Sequence, residues 1–291
     1  MPNKKITLAK YAGFCYGVKR AVEAVKKLKL ENPDKNIYVL GELIHNSQVI
    51  GELQSSGINT VEEIPQDDNN GICVVRTHGQ TPQTFKAIAD AGFEVLDLTC
   101  PDVKKVQQKA IELIKDGYYL VIVGKEEHPE VAAIKANALQ YGDSVLVAEN
   151  IKQLKSYENV LKANKKIGVV VQTTQMISVL SSVVDYLTSI AKELHIANTI
   201  CPSTSLRQNE ALEMARENDL MIVVGSKNSA NTTHLAQITN DITRTIHIET
   251  SDELDTYKDV IEKFEKIGVT AGASTPQSVI ENVVNYLSEV V

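Results

Sequence analysis

Four cysteines occur in the chain, and three of them, Cys15, Cys100 and Cys201, stand in the same local setting at roughly ninety-residue intervals. Each closes a short apolar segment, as in Phe-Glu-Val-Leu-Asp-Leu-Thr-Cys100-Pro, and opens a run of helical character. Each is therefore expected at a strand-to-helix turn. Pro101 and Pro202 fit the first helical position, with cysteine as the N-cap. At that point the helix dipole and the cations Lys19, Arg20, Lys104, Lys105 and Arg207 favour thiolate over thiol. Thiolates bind soft metals. Three converging on one point suit three irons of a [4Fe-4S] cluster, whereas a Cys3His zinc site needs a histidine to complete it. There is no C-x-x-C pair, and buried structural thiols are the plain alternative. Cys73, inside Ile-Cys-Val-Val and away from any turn, is expected in the core.

The elements that must place these thiols recur with the same spacing. After each cysteine helix comes an apolar strand ending in Gly and polar residues: Tyr38-Val-Leu-Gly-Glu-Leu-Ile-His45, Leu120-Val-Ile-Val-Gly-Lys-Glu-Glu-His128 and Met221-Ile-Val-Val-Gly-Ser-Lys-Asn-Ser229. A further strand in each unit ends in a second polar cluster, at Thr77-His78-Gly, Gln172-Thr173-Thr174 and Ala273-Ser274-Thr. Continuous Val/Ile/Leu runs imply strands buried on both faces, as in parallel sheets. The helices that follow read at 3.6 periodicity through Phe85, Ile88 and Ala89, and through Val279, Val283, Val284 and Leu287. Weaker strand signals lie in the polar loops at 65–70 and 143–150.

The expected fold class is α/β, built of three similar small lobes in pseudo-threefold arrangement around a central cavity: residues 1–98, 99–199 and 200–291. Ligands of open α/β sheets bind beyond the carboxyl ends of the strands, so the cysteine turn, the Gly-plus-polar loop and the Thr/His/Ser loop of each lobe all face that side. His195, His234 and His247 fall outside these loop classes and are expected to be surface or structural residues.

With 291 residues, 43% hydrophobic and 23% charged, the chain can bury a sizeable core. A net charge of −7 without a Lys/Arg tract argues against nucleic acid or an anionic membrane as partner. The first residues lack the apolar run of a signal peptide, and a cytoplasmic protein with reduced thiols is expected.

Taken in order, Gly-Phe-Cys15-Tyr-Gly-Val-Lys-Arg-Ala-Val, Glu42-Leu-Ile-His45-Asn, Thr77-His78-Gly, Asp97-Leu-Thr-Cys100-Pro, His128-Pro-Glu130-Val, Gln172-Thr173-Thr174, Gly225-Ser-Lys-Asn-Ser-Ala-Asn231 and Val269-Thr-Ala-Gly-Ala-Ser274 span almost the whole chain. In these motifs it resembles the 4-hydroxy-3-methylbut-2-enyl diphosphate reductases, the terminal enzymes of the methylerythritol phosphate route to isoprenoids. The resemblance implies one [4Fe-4S] cluster on Cys15, Cys100 and Cys201, with the fourth iron left without a protein ligand and the substrate hydroxyl approaching it. It implies a diphosphate held by His45, His78, His128, Ser229, Asn231 and Ser274. Glu130 and Thr173, with His128, would handle the hydroxyl and the proton. Electrons would come from a ferredoxin or flavodoxin, and the products would be isopentenyl and dimethylallyl diphosphate. One departure is Ala230, where some members carry a second serine. The competing readings are a cluster-dependent dehydratase of the quinolinate-synthase type and a zinc-stabilised binding protein without turnover.

Overall fold

The structure, a computed structural model, describes residues 4–66 and 71–289. In chain order its strands are β1 (Lys5–Leu8), β2 (Ile37–Leu40), β3 (Ile58–Val61), β4 (Ile72–Val75), β5 (Glu94–Asp97), β6 (Tyr119–Val123), β7 (Val145–Ala148), β8 (Lys166–Val171), β9 (Glu193–Ile196), β10 (Leu220–Val224), β11 (Arg244–Ile248) and β12 (Lys266–Ala271). Among the described residues they form three four-stranded sheets, ordered β3-β2-β4-β5, β7-β6-β8-β9 and β1-β12-β10-β11. Every pairing is parallel. The three orders are the same order, with β1 standing in the last sheet where β5 and β9 stand in the first two. The chain thus begins with the fourth strand of its final sheet: Lys5 pairs with Lys266 and Leu8 with Val269. The interval 1–98 therefore includes a strand that belongs to the sheet of the last ninety or so residues, whereas β5 and β9 close their own sheets just before residues 98 and 199.

The chain divides into two compact units. One comprises Met1–Arg20, Ile44–Glu52 and Pro202–Val291 and holds the β1-β12-β10-β11 sheet; the other comprises Ala21–Leu43 and Leu53–Cys201 and holds the other two sheets.

The apolar runs are buried on both faces because helices cover both. In β6, Leu120 and Ile122 pack with Val106, Leu113 and Ile134 on one side. Val121 and Val123 pack with Val169, Val171, Val183 and Leu187 on the other. Each such side chain contributes about 1.5–3 kcal/mol when fully buried. The last sheet is built alike, with Ile222, Val269, Val279, Val283 and Leu287 in one cluster. The apolar stripe read for the helix Pro82–Asp90 is narrower than expected: Ile88 is buried and Phe85 half-buried, but Ala89 is exposed. β3 and β11 lie in stretches where the sequence pattern gave no clear strand. β7 falls inside the polar loop 143–150 as its weak signal suggested, and 67–70 of the other such loop lie outside the described residues.

Candidate functional site

The same two backbone bonds recur beyond the carboxyl ends of all three sheets. Gly41, Gly124 and Gly225 follow the second strand of each repeat and donate their N–H to Val61, Ala148 and Ile248, which turns the chain sharply out of the sheet. At Gly124 no side chain fits, because a Cβ would lie 2.8 Å from both Gln172 Oε1 and Val131 Cγ2. The cysteine turns are then pinned by one bond type: Cys15 N–H donates to Ala273 O (3.1 Å), Cys100 N–H to Thr77 O (2.9 Å) and Cys201 N–H to Thr173 O (3.0 Å). Each acceptor stands two residues past the end of its strand, β12, β4 or β8. The equivalence of the three cysteines expected from spacing is thus a structural equivalence.

All three thiols are half-buried and sit at helix starts, ahead of Tyr16–Glu31, Pro101–Lys115 and Pro202–Glu217. Cys100 is an N-cap with Pro101 at the first helical position and makes no side-chain capping bond. Its turn is tightened by Asp97, which accepts from Thr99 N (2.9 Å) and Thr99 Oγ1 (2.5 Å) and pairs with Lys104 Nζ at 2.6 Å. Burial pushes the Asp97 carboxyl up, but these partners outweigh it and hold it below the usual range. Cys73 differs in every respect. It is 0% exposed in β4, and burial pushes its thiol up to about 11, leaving it protonated core.

In the unit that carries Cys100 and Cys201, a continuous chain of contacts joins the two turns. Thr77, the acceptor for Cys100, precedes His78. The His78 ring meets the His128 ring edge to face, with centroids 5.3 Å apart and planes at 87°. His128 caps the helix Pro129–Ala138, its Nδ1 accepting from Glu130 N at 3.2 Å. An accepting Nδ1 places the ring proton on Nε2, which leaves Nε2 as a donor. Glu130 Oε1 accepts from Thr173 N and Oε2 from Thr173 Oγ1, both at 2.6 Å. The Thr173 carbonyl in turn receives the Cys201 N–H. Glu130 is 1% exposed. Burial pushes its carboxyl up to about 7, only partly offset by the two bonds from Thr173. That is the property a general acid needs near neutral pH. Gln172 braces the ensemble, accepting from Lys125 N (3.2 Å) and donating to Thr174 Oγ1 (2.9 Å).

In the other unit, Ser274 Oγ donates to His45 O at 3.1 Å, and Asn46 caps the following helix by accepting from Val49 N. Ser229 is the N-cap of Ala230–Asn240 and makes no side-chain capping bond. Asn231 is only 4% exposed, yet neither its Oδ1 nor its Nδ2 has a hydrogen-bond partner. A buried amide left so is costly unless a ligand satisfies it. Ala230 offers no hydroxyl at the first position of this helix. His247, expected as a surface or structural residue, is structural: its Nε2 lies 2.9 Å from Gly225 O, at the foot of the Gly225–Ser229 loop. Glu249 and Glu253 fix the same loop through Lys227, by Lys227 N to Glu249 (2.6 Å) and Lys227 Nζ to Glu253 (2.7 Å). His195 meets the Tyr118 ring edge to face, with centroids 5.7 Å apart. The sequence offered no sign of the His247, Glu249 and Glu253 braces, because each acts on a loop more than twenty residues distant.

Repeated parallel α/β sheets that carry equivalent cysteine turns, together with a buried acid of near-neutral pKa, fit the class of metal-dependent redox enzymes. The chain belongs to the LytB protein family, whose model matches residues 6–288. A curated relative from Syntrophotalea carbinolica, a 4-hydroxy-3-methylbut-2-enyl diphosphate reductase, is 41% identical over 98% of this chain and 99% of its own. Among solved structures, one of (E)-4-hydroxy-3-methyl-but-2-enyl diphosphate reductase, described as the terminal enzyme of the non-mevalonate pathway, is 35% identical with a TM-score of 0.72, covering 98% of this chain and 99% of the other. Another, E-1-hydroxy-2-methyl-but-2-enyl-4-diphosphate reductase from Plasmodium falciparum, has a TM-score of 0.89 at 28% identity, covering 98% and 88%. Membership implies an iron–sulfur cluster. The donors fit one: three half-buried cysteines in equivalent turns at helix N-termini are soft sulfur ligands of the kind iron–sulfur clusters take. No helix among the described residues is long and apolar enough to cross a membrane.

Proposed function

We propose that the chain acts as a 4-hydroxy-3-methylbut-2-enyl diphosphate reductase, removing the allylic hydroxyl with two electrons and two protons to give isopentenyl and dimethylallyl diphosphate. The cluster is assigned as [4Fe-4S] on Cys15, Cys100 and Cys201, its fourth iron without a protein ligand. The diphosphate is assigned to His45, His78, His128, Ser229, Asn231 and Ser274. A ferredoxin or flavodoxin supplies the electrons, in a reducing cytoplasm.

The observation that carries this reading is the buried Glu130–Thr173 pair, linked through the Thr173 carbonyl to the Cys201 turn. A bound iron–sulfur cluster supplies electrons and a Lewis-acid site for a hydroxyl. The protein's own part is the proton. With Oε1 fixed by the Thr173 N–H, Oε2 faces the Thr173 hydroxyl. When Glu130 is ionised, Thr173 Oγ1 donates to Oε2. When Glu130 is protonated, Oε2–H donates to Oγ1, and the threonine hydroxyl turns to donate to a substrate oxygen. A carboxyl with a pKa of about 7 holds both states near neutral pH, so the pair can pass a proton outward and be recharged. The His128 Nε2–H, set by the capping bond at Nδ1, suits a phosphate oxygen. Neutral donors together with helix N-termini can hold a diphosphate without a Lys or Arg clamp. The unsatisfied Asn231 amide supports the same assignment.

Anaerobic purification with iron, sulfide and zinc analysis tests the assignment. A brown protein with about four irons and four sulfides per chain is expected; a colourless protein with one zinc would overturn it.

A further inference from the structure

The turn that carries Cys15 is held differently from the other two. Cys100 is steadied by Asp97 and Thr99, its near neighbours in sequence. The Cys201 turn is steadied by Thr199, whose Oγ1 lies 2.7 Å from Val171 N and 2.6 Å from Val171 O. The stretch before Cys15 is held locally by the backbone bond from Ala12 N–H to Ala9 O at 3.3 Å. Gly13 adopts φ +92°, a conformation that disfavours side chains, and its position is crowded by Ile280 Cδ1, 3.1 Å from where a Cβ would stand. Backbone groups of Lys10, Tyr11 and Gly13 are satisfied from about 200 residues away by the helix Pro202–Glu217.

Arg207, 3% exposed, spreads its guanidinium over both segments. Nε donates to Tyr11 O (2.9 Å), Nη2 to Gly13 O (2.9 Å) and Nη1 to Ser203 O (3.0 Å). One turn along the helix, Glu210 accepts from Lys10 N through Oε1 (2.8 Å) and from Tyr11 N through Oε2 (2.9 Å). Two side chains three residues apart thus hold four backbone groups of a four-residue segment that ends two residues before Cys15. The planar fork of arginine and the two oxygens of glutamate match this task in a way single donors do not.

We propose that Arg207 and Glu210 are positioning residues for Cys15, a clamp that fixes the Lys10–Gly13 segment on the Pro202–Glu217 helix and so sets where the Cys15 thiolate is presented. The clamp exists because β1 pairs with β12: the cysteine of the first repeat is delivered by an arm attached to the last sheet. Its relevance to the cofactor rests on the reading of Cys15 as a cluster ligand.

The test uses the full chain in two forms. In the metal-free protein, the alkylation rates of Cys15, Cys100 and Cys201 are measured separately by peptide mass mapping under native conditions. Arg207→Gln should speed Cys15 about tenfold or more and leave Cys100 and Cys201 within about twofold, since lost charge-assisted bonds raise local opening. Arg207→Lys should not restore full protection, because a single ammonium lacks the separately placed Nε, Nη1 and Nη2 donors of the planar fork that serve three carbonyls here. Glu210→Gln, which keeps an amide oxygen as acceptor, should give a smaller rise confined to Cys15, and it serves if Arg207→Gln does not fold. Equal acceleration at all three cysteines, or none, would overturn the clamp. In the second form, anaerobic reconstitution of wild type, Arg207→Gln and Cys15→Ser is read as iron per chain, with Arg207→Gln expected between the other two. If Cys15→Ser takes up as much iron as wild type, the ligand reading fails, while the alkylation pattern still decides the clamp.

Discussion

Replacing Glu130 with glutamine separates the cost of an active-site acid from its use. The amide keeps the shape of the carboxyl: Oε1 can still accept the Thr173 N–H, and Nε2 can donate to Thr173 Oγ1. What it removes is the ionisable group. In the unfolded chain this carboxyl titrates near its ordinary value, whereas burial holds it at about 7 in the folded chain. Between those values the folded protein binds one proton more than the unfolded one, so wild-type stability falls as pH rises through that window. At about 1.4 kcal/mol per pH unit, the shift from 4.5 to about 7 amounts to about 3 kcal/mol lost by pH 8. Glu130→Gln escapes this loss. Its stability relative to wild type should therefore rise by about 3 kcal/mol between pH 4.5 and pH 8, levelling above pH 7. Urea unfolding of the metal-free chains over that range measures the difference directly. In the same variant, turnover should nearly vanish while iron content stays unchanged. A stability difference that is constant with pH would refute the placement of Glu130 as a buried, near-neutral acid. Undiminished turnover would refute its role.

Three further outcomes follow from the same geometry. Wild-type turnover should decline as pH rises through about 7, because the donating form of Glu130 is the protonated one; a profile flat from pH 6 to 8.5 would contradict this. Cys100→Ser should lose iron, whereas Cys73→Ser should keep it and instead cost about 1–3 kcal/mol of stability by burying a hydroxyl in the β4 core, with iron analysis and unfolding as the two readouts. Asn231→Leu should leave the ligand-free chain as stable as wild type or more so, since it removes a buried amide without partners, while weakening inorganic diphosphate binding about tenfold by calorimetry.

The cysteine turns were legible in sequence because their signals are local. A short apolar segment, a cysteine (followed by Pro at 101 and 202) and a run of helical character lie next to one another, and the repeat multiplies the evidence. The Gly-terminated strands β2, β6 and β10 were legible for the same reason. The pairing of β1 with β12 was not, since a four-residue strand carries no mark of its partner some 260 residues on. β3 and β11 stayed hidden because polar residues, Asn59 and Thr60 in one and Arg244, Thr245 and His247 in the other, interrupt the apolar pattern. The near-neutral acid was legible only as a residue type. That Glu130 is buried, and that its oxygens meet the backbone and hydroxyl of Thr173 forty-three residues later, comes from tertiary structure. The His247, Glu249 and Glu253 braces and the Arg207–Glu210 clamp are non-local in the same way. Arg207 had suggested only a nearby cation, and its structural task is geometric.

The most direct test is anaerobic incubation of the iron-loaded protein with 4-hydroxy-3-methylbut-2-enyl diphosphate and a chemically reduced one-electron donor, with products resolved by mass and chromatography. Loss of the hydroxyl to give both isopentenyl and dimethylallyl diphosphate, at two electrons consumed per molecule, is the expected result. A fully iron-loaded protein that returns the substrate unchanged, or that eliminates water without consuming electrons, would contradict the account.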